Sequence, residues 1–101
     1  KNKFEFSQKD LILCYDVLEH ITEKDICDIL VKLYNTLKKD GYILFSICMI
    51  GDSNLEKDKT HLTKKTRIWW EWNISKYFDI IPTPPWFWFN NQIIIGVKKN
   101  A

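Results

Sequence analysis

The side chains best able to do chemistry crowd into one short stretch. Asp16, Glu19 and His20 fall within five positions, and His61 is the only other histidine in the chain. Two carboxylates and an imidazole this close can converge on one divalent cation. Carboxylates suit magnesium, and imidazole also admits zinc, manganese or iron. Asp16, Glu19 and His20 therefore form one metal-ligating set. In a second reading His20 is a general base, since an imidazole changes charge near neutral pH. In a third, structural reading, Glu19 and His20 cap the following helix or hydrogen-bond within the loop. His61 can serve as an acid/base on the substrate side, with Thr60 beside it to orient the ring, or it is a solvated loop histidine.

Cys14, Tyr15 and Asp16 end an apolar run, where open α/β sheets bind their ligands. Cys14 reads equally as a small buried hydrophobe. Tyr15 and Asp16 bring polar groups that need a partner or water. Five tryptophans are many for a domain of this size. Trp69, Trp70 and Trp72, with the block Trp86-Phe87-Trp88-Phe89, could line a pocket for a planar acceptor. The alternatives are a hydrophobic plug between a hairpin and a helix, or a contact surface for a partner.

The elements that must position these residues follow from hydrophobic spacing. Leu11 to Cys14 is a short continuous apolar run, which predicts a strand buried on both faces. Asp16 to Ile21 is a connecting loop or short helical turn. Thr22 starts a helix, with Asp25 three residues on as in a capping box. Ile26, Ile29, Leu30, Leu33, Tyr34 and Leu37 give that helix one core face. Lys38 and Lys39 fall in its last turn, and Gly41 is the stop. Tyr42 to Cys48 is a second apolar strand. Gly51 to His61 is a long polar loop. Thr66 caps a second helix that runs to about Tyr77, with Trp70, Ile74 and Tyr77 on one face. Phe78 to Ile81 is a third strand, broken by Pro82, Pro84 and Pro85. Gln92 to Val97 is the last. Lys3 to Gln8 is an edge strand or a loop.

The sum is an α/β fold of order β-α-β-α-β-β, with the final pair antiparallel. Both crossovers step the same way along the sheet, so handedness puts both helices on one face. The first two strands are nevertheless apolar at every position and call for cover on both faces. A dimer partner or a further part of the same protein is expected on the bare one.

Composition removes several functions. The chain has 101 residues, enough for one domain. Gly41, Gly51 and Gly96 are too far apart for G-x-G-x-x-G or a P-loop, so this stretch holds no glycine-cradled phosphate site. Cys14, Cys27 and Cys48 contain no C-x-x-C pair, which excludes a zinc knuckle. An odd number of cysteines without secretory context predicts a reducing cytoplasm. Fifteen basic residues against 13 acidic leave a net charge of +2, too little to argue for nucleic acid. The densest basic group, Lys57, Lys59, Lys64, Lys65 and Arg67, includes Glu56 and Asp58 and reads as a solvated loop. No apolar run approaches the roughly 20 residues that span a bilayer.

KDLILCYDVLEHI, residues 9–21, resembles the fourth-strand segment of class I S-adenosylmethionine-dependent methyltransferases. That segment is an acidic residue, an apolar strand, two or three variable residues and then V-L-E-H followed by Ile, Val or Leu. LYNTLKKDGYILFSI, residues 33–47, resembles the family's next helix, turn and fifth strand. Asp58-Lys59-Thr60-His61 with Trp69-Trp70 resembles a D-x-T-H segment and the helix after it. The terminal antiparallel pair is similar to the family's reversed last strand. The likeness runs from about residue 8 to 98 and covers only the carboxyl-terminal half of the family's domain. The glycine-rich loop and the ribose-binding acid belong to the other half and are absent here.

The resemblance implies a partial Rossmann-like methyltransferase sheet, with residues 1–101 as the carboxyl-terminal part of the domain. It implies S-adenosylmethionine as cofactor, its methionine and methyl end lined by Cys14, Tyr15, Asp16 and Val17. His20 and His61 become the catalytic candidates, and a small molecule is the expected methyl acceptor. Asp16-x-x-Glu19-His20 also resembles E-x-x-E-H in two metal-using groups, ubiquinone-pathway O-methyltransferases and small-RNA 3′-end ribose methyltransferases. Asp16 shortens the first ligand by one methylene, and His61 is the counterpart of a later histidine in the second group. From a different class, the alternative is a non-catalytic, methyltransferase-like unit that serves as an interaction or structural element.

Overall fold

A computed structural model describes residues 9–49, 61–84 and 92–100. Among the described residues, four strands and two helices follow the expected order. They are β1 (Lys9–Tyr15), α1 (Glu23–Thr36), β2 (Leu37–Ile47), α2 (Arg67–Ile74), β3 (Phe78–Ile81) and β4 (Gln92–Lys98). A single 3-10 turn, Leu18–His20, joins β1 to α1. In space the strands run β1-β2-β4-β3. β1 and β2 are parallel, and β4 is antiparallel to both of its neighbours. The fold is a partial Rossmann-like α/β sheet in which the last strand returns between the second and third.

One side of this sheet carries the core. Cys14, Ile43, Phe45, Ile47, Phe78 and Ile94 point to that side and meet Ile26 and Leu30 of α1 and Trp70 and Ile74 of α2 in one cluster. Both helices therefore cover the same face, as the crossover argument expects. The opposite face pairs Leu11 with Tyr42 and Leu13 with Leu44 across β1 and β2. Leu11 is 56% exposed and Leu13 is 58% exposed. The expectation of a first strand buried on both sides is met on one side only, because the described elements provide no second layer.

The connection from α1 to β2 corrects the sequence reading. The helix ends at Thr36, and Leu37 is already extended. Lys38, Lys39 and Gly41 belong to β2, not to the last turn of the helix and its stop. Two local causes are visible. The Thr36 hydroxyl donates back to the Lys32 carbonyl at 2.8 Å, a bond that loosens a helix end. The Leu37 side chain is fully buried and must turn into the core. The left-handed position is Asp40, at φ 65°, and not the glycine. Gly41 is required for a different reason, since a Cβ there would lie 2.9 Å from the Leu37 side chain and the Lys38 carbonyl.

The two helix starts fall where the sequence places them. Thr66 caps α2 by accepting from the Trp69 N–H. Thr22 precedes α1, but its hydroxyl donates to the Asp25 carboxylate at 2.8 Å instead of accepting from the backbone, so the two side chains of the expected capping box bond to each other. α2 closes at Ile74, and Tyr77 lies in the turn beyond it. The Trp86–Phe89 block, the Lys3–Gln8 segment and most of the Gly51–His61 loop, including Thr60, lie outside the described residues.

Candidate functional site

β1 delivers its carboxyl end to the site. The chain leaves the sheet at Asp16, whose φ of 55° is left-handed. Aspartate tolerates that region better than most residues. Its N–H donates to the Ser46 carbonyl at 2.8 Å, so the exit stays fastened to β2. The next residues tighten into the 3-10 turn, with His20 N–H to the Val17 carbonyl and Ile21 N–H to the Leu18 carbonyl, both 3.0 Å. The turn drives Leu18 into the core and carries Glu19 inward with it.

Glu19 is the unusual residue of the site. A carboxylate is rarely buried without a partner, yet Glu19 is 1% exposed. Its pKa is raised. Loss of water is the main cause, and the Asp16 charge adds to it, while backbone N–H groups of Glu19 and Cys48 and the charge on His20 oppose it. Oε1 is buried and has no hydrogen-bond partner. A buried acceptor left open costs on the order of 1–3 kcal/mol.

Both histidines come to this carboxylate. The His20 and His61 rings lie 4.8 Å apart between centroids, tilted by 56°. Glu19, His20 and His61 each offer one ligand atom, and all three atoms lie within 4.8 Å of one another. The 61–63 segment is fastened to the 3-10 turn. Leu62 and Thr63 N–H donate to the Glu19 carbonyl at 2.8 and 3.1 Å, and the Thr63 hydroxyl donates to the Ile21 carbonyl. Sequence spacing did not reveal Thr63. A threonine in a polar stretch carries no signal until the strand-to-helix turn is in place.

The other candidates take separate positions. Cys14 faces the helices inside the core, and burial, with the nearby Glu19 charge, pushes its thiol up to about 11. Tyr15 and Val17 are exposed beside the carboxyl end of β1, and so is Asp16. Asp16 is close enough to influence Glu19 electrostatically but is not a member of the Glu19–His20–His61 group. The set gathered in space exchanges Asp16 for His61.

No family model matches the chain, and no curated protein matches it. Among solved structures the chain is similar to one from Nostoc punctiforme PCC 73102 named "putative O-methyltransferase". The TM-score is 0.62 at 16% identity, over 92% of this chain and 33% of the other. The likeness is one of fold, and the chain spans about a third of that protein's length. The fold is methyltransferase-like. Among the described residues, no helix is long and apolar enough to cross a membrane.

Proposed function

We propose that the chain supplies the acceptor-side half of a class I S-adenosylmethionine-dependent methyltransferase site. The observation that carries this reading is the convergence of Glu19, His20 and His61 at the carboxyl end of β1, in a fold shared over 92% of its length with the Nostoc chain. The cofactor, when bound, supplies a methyl group on a sulfonium that is open to in-line attack. Tyr15, Asp16 and Val17 are exposed at the strand end where a ligand of an open α/β sheet sits. His20 and His61 face the acceptor and take the proton that an attacking hydroxyl or amine loses. Positioning contributes most of the acceleration in such a transfer.

In this reading a small molecule is the acceptor, and the glycine-rich half of the cofactor site comes from outside these 101 residues. That half also covers the Leu11–Leu13 face. The cytoplasm is the compartment proposed. A non-catalytic interaction unit remains the competing proposal.

The unpaired Glu19 Oε1 favours a second reading of the same residues. A divalent cation held by Glu19, His20 and His61 would satisfy that oxygen. Two imidazoles and one carboxylate suit zinc, manganese or iron better than the all-oxygen cations. Such an ion acts as a Lewis acid on an acceptor hydroxyl.

The test is ultraviolet cross-linking of radiolabelled S-adenosylmethionine to the protein as expressed from its own gene, followed by peptide mapping. Label at residues 15–17 is the expected result. No labelling, together with no heat in a calorimetric titration with the cofactor, leaves only the interaction unit.

A further inference from the structure

We propose that Thr63 is the positioning residue of this site and that it acts through His61. The inference builds on the acceptor-side reading of the two histidines, while its test uses neither methyl transfer nor a metal.

Three hydrogen bonds carry the argument. Thr63 is 1% exposed, in a stretch otherwise rich in lysine and threonine. Its N–H reaches the Glu19 carbonyl, and its hydroxyl reaches the Ile21 carbonyl two residues on. Leu62 N–H shares the Glu19 carbonyl. Residues 62 and 63 thus clasp both sides of His20 by the main-chain carbonyls of Glu19 and Ile21, and the His20 ring lies 4.8 Å from the His61 ring between centroids. One residue, Glu19, anchors the clasp by its carbonyl and contributes its carboxylate to the site. The backbone that sets His61 is therefore the backbone that sets Glu19.

Further along, the same segment is held by weaker contacts. The Lys65 ammonium lies 3.2 Å from the Glu23 carboxylate and 5.3 Å from the Trp69 ring centroid. Surface contacts of this kind stabilise little. The buried hydroxyl is the discriminating part, because valine keeps its shape and removes its donor. The Ile21 carbonyl would then lose its partner, and the clasp would rest on the shared Glu19 carbonyl alone.

With only two histidines in the chain, imidazole resonances are unambiguous. The experiment measures the nuclear Overhauser effect between the His20 and His61 rings in wild type, Thr63→Val and Thr63→Ser, with Trp70 ring shifts as the measure of an intact core. The expected result is a loss of at least half the inter-ring effect in Thr63→Val, recovery in Thr63→Ser, and an unmoved Trp70. An undiminished effect in Thr63→Val overturns the proposal, and so does an equal loss in Thr63→Ser. Should Thr63→Val fail to fold, amide exchange in the wild-type chain decides. Leu62 and Thr63 N–H must exchange at least 100-fold more slowly than open-chain amides, and rates near open-chain values overturn the clasp. A cross-linking failure with S-adenosylmethionine alongside an intact Thr63 effect discards methyl transfer and keeps the positioning role.

Discussion

The three cysteines show how far environment separates identical side chains. Cys14 is buried and its thiol is raised to about 11, whereas Cys27 is exposed on α1 with its sulfur 2.8 Å from the Tyr77 hydroxyl. Thiolate is the reactive form. Iodoacetamide at pH 8, read by mass spectrometry, is therefore expected to modify Cys27 and spare Cys14 in the folded chain. The sign of the linkage is definite. A thiol raised by folding adds stability that is complete below its ordinary value of 9.0 and is lost as pH rises toward about 11. Thermal unfolding scans between pH 8.5 and 11 should show that loss, and Cys14→Ala should flatten it. Glu19 presents the complementary case of a buried oxygen without a donor. If a cation fills that place, tag-free protein takes up one equivalent of zinc in calorimetry, and Glu19→Gln or His61→Gln weakens uptake at least tenfold. Uptake that neither substitution changes would assign the zinc to another locus.

At the scale of elements, the strands and helices were legible where a buried stripe and a local stop signal coincide. Thr66 before Trp70 and Ile74, and the proline cluster after Phe78–Ile81, are such places. The end of α1 was not legible. Lys38, Lys39 and Gly41 satisfy every rule for a helix terminus, yet the burial of Leu37 and the left-handed turn at Asp40 decide the matter. Those are tertiary demands that local spacing does not contain. The site was half legible for a related reason. Asp16-x-x-Glu19-His20 is contiguous, whereas His61 joins Glu19 and His20 from a distant segment that Leu62 and Thr63 pin to the Glu19 carbonyl. Gly96 offers a test of element packing. A Cβ there would stand 2.9 Å from the Phe78 Cβ on the paired strand. Gly96→Ala is expected to cost about 1–3 kcal/mol by forcing β3 and β4 apart. Urea unfolding measures the cost, and a change within the error of the wild-type midpoint would show that the strands yield.

At the scale of the whole molecule, the described residues form a two-layer structure with one apolar sheet face that no described element covers. Leu11, Leu13, Tyr15 and Tyr42 lie exposed on it, and β1 is an edge strand among the described residues. Exposed apolar surface next to an unpaired edge promotes association. Sedimentation velocity is expected to find the chain self-associating at tens of micromolar, and a Leu11→Lys, Leu13→Lys pair to shift it toward monomer without changing its helix content. A wild-type chain that stays monomeric would show that its edge charges suffice. The return of β4 between β2 and β3 also fixes an order of events. β3 is made before β4 in the chain, yet its only described neighbour in the sheet is β4. β3 therefore gains its place in the sheet only when residues 92–98 are seated between it and β2. The parallel pair and its helix can assemble from local contacts, while the far side of the sheet closes in one late step governed by the longest loop closures. The edge contact of Phe45 with Phe78, 5.9 Å between ring centroids, spans β4 and so belongs to that same last step.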